Sequence, residues 1–392
     1  MEYIKIKDLD IHISDGNYSS KYPNSREFIS SGVPFIRCNN FFNNSITDKD
    51  MYYISEEKHA ELLKGHLRTN DVLISTRGNI GQVVIVPDEY NDANINAQIV
   101  LLRSGTTIDS RYLMWTLKSS YVQKQMEQNQ TGSALKQLPV KRLCEIKVPI
   151  EKDIDVQKSI ADRLDNVFSM MNLKKEQIRK CDELIKSQFV EMFGDFNNSK
   201  YDKIKLDKIA KVGSSHRVFT TEFVEDGIPF YRGTEITMLA NGINPQDCFY
   251  ISKEHYDRIS SDETKPKMND LLMPSICDKG QIWLVDTDRP FYYKDGRVLS
   301  ISLKKDGINP KYLHYYMKNK TIEEYPKLGT GSTFAEFKIF LLKDMDIIVP
   351  PIELQDKFAQ VVEQIDKQKS DFEKSLKKLE ELQATLMQEY FG

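Results

Sequence analysis

A long internal repeat constrains this sequence more than any composition figure. At an offset of 198 residues, segments 160–192 and 358–390 both carry side chains at alternating steps of four and three. The first ladder runs Ile160, Leu164, Val167, Met171, Lys174, Ile178, Cys181, Ile185, Gln188, Met192. The second runs Phe358, Val362, Ile365, Lys369, Phe372, Leu376, Leu379, Gln383, Leu386, Tyr390. Eight of ten positions are apolar in each, the pattern of a long helix that hides one stripe against a partner helix. The same offset joins Tyr3 to Tyr201, Lys5-Ile6-Lys7 to Lys203-Ile204-Lys205, and Phe193-Gly194 to Phe391-Gly392. Two periods would occupy 396 residues and the chain has 392, so the end of the second copy meets the start of the first in phase. Such a duplication predicts a pseudo-twofold molecule with two equivalent working surfaces.

Pattern divides the chain into four segments. Residues 1–150 read as short strands with Gly, Asn and Asp turns (Val33–Arg37, Val72–Ser75, Gln82–Val86, Ile99–Arg103) and one helix near Ser110–Gln128. Residues 151–196 hold a long helix without internal proline. Residues 197–350 repeat the strand-rich pattern (Ile228–Arg232, Leu271–Pro274, Gln281–Val285, Val298–Leu303) with a helix near Pro310–Lys318, and residues 351–392 form the second long helix. Pro149 and Pro350-Pro351 mark matching starts, since proline suits a first helical turn and resists continuation from upstream. Landmarks pair across the halves at offsets of 195 to 200: Val33-Pro34-Phe35-Ile36-Arg37 with Ile228-Pro229-Phe230-Tyr231-Arg232, Asn70-Asp71-Val72-Leu73 with Asn269-Asp270-Leu271-Leu272, Arg111-Tyr112-Leu113 with Lys311-Tyr312-Leu313, and Thr131-Gly132-Ser133 with Thr330-Gly331-Ser332. The expected class is α+β: two similar mixed domains joined by two long antiparallel coiled-coil helices. One framework with different loops suits two modules that read different things.

Charge bears on the partner. The net charge of −3 argues at first against nucleic acid, but residues 1–150 hold 18 basic against 17 acidic side chains and residues 200–350 hold 23 against 22. The helical segments carry the deficit, so charge totals permit DNA binding by the strand-rich regions. Five cysteines without a Cys-x-x-Cys pair argue against a disulfide framework and a structural zinc site, and favour a reducing cytoplasm. No secretory signal opens the sequence, and its apolar runs fall far short of the roughly 20 residues that a membrane span needs.

Catalytic signatures are missing. No glycine-rich phosphate loop follows a strand, and the histidines (12, 59, 66, 216, 255, 314) show no His-x-x-x-His spacing, so no metal site is expected. No Asp/Asn-Pro-Pro-aromatic tetrapeptide of the kind used to hold a flipped adenine occurs, because Pro350-Pro351 lies between Val349 and Ile352. The chain reads as a binding protein.

The run Asn70-Asp71-Val72-Leu73-Ile74-Ser75-Thr76-Arg77-Gly78-Asn79-Ile80-Gly81 resembles the central strand-and-turn motif of type I restriction-modification specificity (S) subunits. So does Thr131-Gly132-Ser133 followed by Ile146-Lys147-Val148-Pro149-Ile150 and Gln157, matched in the second copy by Thr330-Gly331-Ser332, Ile347-Ile348-Val349-Pro350-Pro351 and Gln355. The resemblance covers essentially the whole chain, and the ordered pair of motifs is more specific than any single one. The second copy departs from it at Pro274-Ser275-Ile276-Cys277-Asp278-Lys279-Gly280, which lacks the Arg-Gly turn. The resemblance implies a non-catalytic subunit in which each target-recognition domain reads one half of a split target in double-stranded DNA. The helices would act as a spacer and dock two methyltransferase subunits. No cofactor is expected on this chain: the methyltransferases would bring S-adenosylmethionine, and restriction/translocase subunits the dependence on ATP and Mg²⁺.

Candidate DNA contacts follow from side-chain chemistry. In the first domain Ser75, Thr76, Arg77 and Asn79 form a turn whose arginine suits guanine O6 and N7; the alternative is a plain turn with Arg77 paired to a surface carboxylate. Arg37, Asn39 and Asn40 follow a strand end. Asn94, Asn96 and Gln98 would share one face if their segment is a strand, which suits base edges or a solvated edge equally. Ser133 and Lys136 suit phosphate. The counterparts in the second domain are Arg232, Thr234, Glu235, Ser275, Asp278, Lys279, Lys294, Arg297, Ser332 and Thr333, with Asp278 or Glu235 able to accept from cytosine N4. Lys174 and Lys369 on the seam read as register devices, and Tyr52, Tyr53, Phe249 and Tyr250 as core. The ladder from Ile160 to Met192 spans 32 residues, about 48 Å at roughly 1.5 Å per residue, against about 34 Å for a turn of B-DNA. Two alternatives stay open: the recognition module of another DNA-modification system, and a coiled-coil scaffold that binds no DNA.

Overall fold

The β-branched runs of the first half fold into a four-stranded antiparallel sheet in the order Ile11–Asp15, Ile99–Ser104, Val72–Ser75, Val83–Ile85. Val72–Ser75 is buried along its whole length, as expected of a strand with no polar alternation. A second sheet sets Val33–Ile36 antiparallel to Tyr52–Ile54 and parallel to Asn94–Ile95. Glu2–Lys5 pairs with Lys147–Ile150 and closes the region near its start. These elements come from a computed structural model that describes residues 1–392 except 19–20, 134, 197, 262–263, 305–306 and 329–334.

The second half repeats the plan of these sheets, with the helix Gly233–Ala240 where the first half has a small hairpin of Phe41–Phe42 and Ser45–Ile46. Ala210–Gly213, Val298–Leu303, Leu271–Pro274 and Trp283–Leu284 form the larger sheet in the same order. Ile228–Tyr231 pairs antiparallel with Phe249–Ile251 and parallel with Tyr292–Tyr293, and Lys203–Lys205 pairs with Asp346–Ile348. Phe223–Val224 adds a short strand whose counterpart in the first half is a single bridge, Ile29 with Tyr53. The single helix expected over Ser110–Gln128 is two, Ser110–Lys118 and Ser120–Gln128. Ser119 adopts an extended backbone between them, and its hydroxyl accepts from Val122 N, an N-cap that interrupts the helix. The second helix, by contrast, runs on to Glu324.

Two helices of 40 residues each, Ile154–Phe193 and Ile352–Phe391, complete the fold. The chain forms two compact units, residues 1–176 with 372–392 and residues 177–371, so each unit takes part of both helices. Within the first unit, Arg163 Nη1 donates to the Tyr390 hydroxyl at 2.9 Å and Lys174 Nζ lies 4.8 Å from the Phe372 ring centroid. Within the second, Lys369 pairs with Asp182 at 2.6 Å and Phe358 packs on Phe189 and Phe193. In both the helices pass antiparallel. Ile160, Leu164, Val167, Met171, Cys181 and Ile185 are buried on the first helix, Phe358 and Ile365 on the second. Ile178, Val362, Phe372, Leu376, Leu379 and Leu386 are half-buried, the most that a two-helix contact provides.

The ladder needs one correction. Beyond Ile185 the buried positions are Phe189 and Phe193, while Gln188 and Met192 are only half-buried. The stripe advances by fours there because large aromatics fill the second unit's core: Phe193 meets Tyr312 at 5.2 Å between ring centroids. Its counterpart Phe391, 1% exposed, meets Tyr112 at 5.5 Å in the first unit. The last turn of each long helix is therefore a core element of a strand-rich region. Two fully buried glutamines anchor the helix starts. Gln157 accepts from Asp109 N and donates to Thr107 O and Glu151 O, and Gln355 makes the same three bonds to Asn309 N, Gly307 O and Pro350 O. Each satisfies loop backbone groups that burial would otherwise leave unpaired. Among the described residues no helix is long and apolar enough to cross a membrane.

Candidate DNA interface

The turn after Val72–Ser75 is built from inside outward. Ser75 is buried, its hydroxyl donating to Asn79 O at 2.5 Å and accepting from Gln82 N at 2.9 Å, so it closes the turn. Thr76 is also buried and donates to Gln98 O. Gly78 takes φ +73, a conformation that favours glycine. With its base locked, the turn holds Arg77 and Asn79 out in solvent. Among the described residues no ion pair takes up the Arg77 charge; its guanidinium lies 5.8 Å from the Tyr18 ring centroid.

Other loops gather beside it. Gln137 bridges both Arg77 and Thr131, and Leu138 N donates to Thr76 O, which lays the 131–137 loop alongside the turn with Ser133 and Lys136 exposed. Gly132 makes that loop possible, since a Cβ there would stand 2.3 Å from Leu135 O. Asn96 N donates to Ile36 O, so the end of Val33–Ile36 abuts the same place. The exposed side chains Asn39, Arg77, Asn79, Gln98, Ser133 and Lys136 thus come from loops held to one another by backbone hydrogen bonds, with half-buried Arg37 at the same edge.

Several candidates have structural duties instead. Asn40 is fully buried, accepting from Arg37 N and donating to Thr47 O and Lys49 O. Asn94, Asn96 and Gln98 do not share a strand face. Asn94 is buried against His59, and Asn96 ends the strand by accepting Gln98 N with its side chain, leaving Gln98 alone exposed. Local amide-to-backbone bonds outcompete strand continuation here. Arg37 donates to Asp50 O and stacks on Tyr52, 3.4 Å from the ring centroid. Tyr52 and Phe249, expected in the core, are each 41% exposed and serve as platforms for Arg37 and Arg232. Sequence reasoning missed Tyr18 and Lys64. Tyr18 donates to Ala97 O, and Lys64 Nζ lies 5.2 Å from its ring while pairing with Asp15. Neither belongs to a local motif; only the fold brings them beside Arg77.

The second unit places its counterparts equivalently. Ser275 N donates to Arg297 O and Phe337 N to Ser275 O, repeating the Thr76–Gln98 and Thr76–Leu138 bonds. Ser275 itself is buried, while Thr234, Asp278, Lys279, Lys294 and Arg297 are exposed. The charges are wired differently. Arg232 makes bonds of 3.1 and 2.6 Å to Glu235, which is buried; burial pushes that carboxyl up, but Arg232 outweighs it and holds it below the usual range. Glu235 is thereby unavailable to a cytosine. Arg297 and Lys338 share Glu336, whose carboxyl they also hold low, and Asp278 accepts from Gln281. Ser332 and Thr333 lie outside the described residues.

Residues 1–181, which carry this turn and its companion loops, match the family model "Type I restriction modification DNA specificity domain". The first part of the chain, residues 1–181, is therefore similar to the DNA specificity domain of type I restriction-modification systems. Two relatives come from Methanocaldococcus jannaschii. The MjaIX specificity subunit is 37% identical over 90 residues, 23% of this chain and only 21% of that protein's length. The MjaVIII specificity subunit is 22% identical over 420 residues, covering 98% of this chain and 90% of the relative. The crystal structure of a type I restriction-modification S subunit from M. genitalium shares the fold, with a TM-score of 0.61 and 16% identity over 100% of this chain and 96% of that one. The specificity-domain match ends inside the first long helix, so the equivalence of the second half rests on its repeated sheets and buried glutamine.

Proposed function

We propose that the chain is the DNA-recognition subunit of a type I restriction-modification complex, each strand-rich region reading one half of a bipartite target. The observation that carries this reading is a duplicated scaffold that presents different side chains at equivalent exposed positions, Arg77 against Ile276 and Gln98 against Arg297. Hydrogen-bond donors and acceptors of this kind recognise base edges and phosphates. Among its described residues the cluster holds no nucleophile set beside a base, and we assign bond making to partners: two methyltransferase subunits with S-adenosylmethionine, and restriction/translocase subunits with ATP and Mg²⁺. Exposed apolar residues on the long helices outside the seam, Leu173, Leu184 and Leu382 among them, suit protein docking. A cytoplasmic location follows from that assignment.

The test is binding of the assembled complex to duplex DNA across a salt series. Binding governed by phosphate contacts weakens steeply as salt rises. An absent or salt-insensitive shift would favour a protein scaffold. The spacer role has its own test, insertion of one helical turn, about 5.4 Å, in both long helices. Methylome sequencing should then show the gap between half-sites longer by one or two base pairs; the parental gap would refute the ruler.

A further inference from the structure

Two of the six histidines meet in the first unit although their spacing marks no ligand motif. His59 lies on the short helix Glu56–Glu61, His66 forms a bridge to Asn94, and Asp92 sits in the turn before that strand. Their candidate ligand atoms all lie within 4.8 Å of one another. His59 Nε2 stands 3.3 Å from one Asp92 carboxylate oxygen and His66 Nδ1 3.8 Å from the other. The remote ring nitrogens are already engaged, His59 Nδ1 with Asn94 Oδ1 at 2.5 Å and His66 Nε2 with Leu62 O at 2.6 Å. Both partners are carbonyl oxygens, so each ring donates there, and a neutral ring turns its lone pair toward Asp92. A lone pair facing a carboxylate is repelled by it, so either a proton or a metal ion must lie between each ring and Asp92. A remote N–H held by a carbonyl is also how metal-binding imidazoles are oriented.

The second unit shows what the fold needs at this corner. Tyr256 and Tyr292 stand at the positions of His59 and Asn94, edge to face at 6.1 Å, and the Tyr292 hydroxyl donates to Ile259 O, the counterpart of Leu62 O. Aromatic packing and that one hydrogen bond close it there. The polar set belongs to the first unit only.

We infer that His59, His66 and Asp92 bind one divalent transition-metal ion of the zinc class. Imidazole with a carboxylate favours zinc, cobalt or nickel over magnesium or calcium. Bonds of about 2.0–2.2 Å place tetrahedral ligand atoms roughly 3.4 Å apart. The His59–Asp92 pair, at 3.3 Å, is near that separation, and His66 Nδ1, at 3.8 Å, would close on the ion by a few tenths of an ångström. The Asp92 side chain is 70% exposed, which leaves room for solvent to complete the coordination. The ion would tie Leu62–Leu67 to the turn before Asn94. That segment carries Lys64, so the site stiffens one edge of the surface around Tyr18 and Arg77.

The full chain, stripped with chelator, is titrated with Zn²⁺ and separately with Co²⁺. One equivalent should bind saturably at this site, with visible cobalt absorption and a rise in unfolding temperature. Asp92→Asn, which suits the left-handed backbone there (φ +66), and His66→Gln should each weaken binding by more than about tenfold, whereas His255→Gln in the second unit should not. Circular dichroism of the metal-free variants separates lost ligands from lost folding. Absence of a saturable cobalt signal, or parental binding in folded Asp92→Asn and His66→Gln proteins, would overturn the site.

Discussion

The two strand-rich regions share a backbone and differ in how their charges are satisfied. In the first, Asp71 is buried under a two-point contact from Arg103, at 2.8 and 2.7 Å. In the second, the equivalent Asp270 is buried with Ser302 in place of the arginine, and burial pushes its carboxyl up. The order reverses at the exposed end. Arg77 reaches solvent without a carboxylate partner among the described residues, whereas Arg232 and Arg297 are tied to Glu235 and Glu336. Glycine 78 leaves open space where Cys277 is buried, its thiol pushed up to about 11 by burial. The comparison separates what the scaffold requires from what each copy is free to vary. Gln157 with Gln355 and Phe193 with Phe391 are the former; the charged and turn residues are the latter.

Removing the helix-end aromatics is the hardest test of that separation. Phe391→Ala should destabilise the first unit, and Phe193→Ala the second, by about 3–5 kcal/mol each. Hydrogen exchange should report lost protection in one unit per variant, and equal loss in both would break the claimed equivalence. Arg103→Met strands a buried carboxylate and should cost about 3 kcal/mol in denaturant unfolding. Asp270→Asn should do the opposite and stabilise at neutral pH, measured in the same denaturant unfolding. The sign follows from the raised folded pKa: the neutral acid is favoured in the folded state, so its stabilising contribution is present at low pH and disappears as pH rises through that value. The asparagine advantage should therefore shrink toward pH 4.

Lys118 provides a second pH test. Burial lowers its ammonium to about 8, beside Asn44 and the Trp115 ring. Below that pH the charged group opposes folding; between about 8 and the unfolded value near 10.4 the folded state loses its proton first and stability rises. Lys118→Met should abolish that rise, measured as unfolding temperature against pH. The remaining prediction concerns binding. Arg77→Ala should weaken DNA affinity by about tenfold and flatten the salt dependence, while Ile276→Ala at the equivalent position should leave the salt dependence unchanged.

The duplication, both long helices and most of the sheet strands were legible because each rests on a local period or a repeated landmark. The break at Ser119 and the seam's advance to Phe189 were not, since a hydroxyl cap and a crowded aromatic core decide them. The turn at Ser75–Gly78 was legible as a turn, but that Ser75 and Thr76 are buried to close it while Arg77 stays exposed was not. Asn40 and Asn94 misled because an amide that closes a loop and one that faces a base look alike in sequence. Tyr18, Lys64 and the His59–His66–Asp92 group come together only through long-range pairing.

The most direct test of the central claim is long-read mapping of methylated adenines in cells that carry this chain with the methyltransferase subunit proposed to dock on it, before and after Arg77→Ala. The account predicts a motif of two specified parts separated by an unread gap, with the substitution relaxing only one part. A single uninterrupted motif, or relaxation of both parts together, would contradict it.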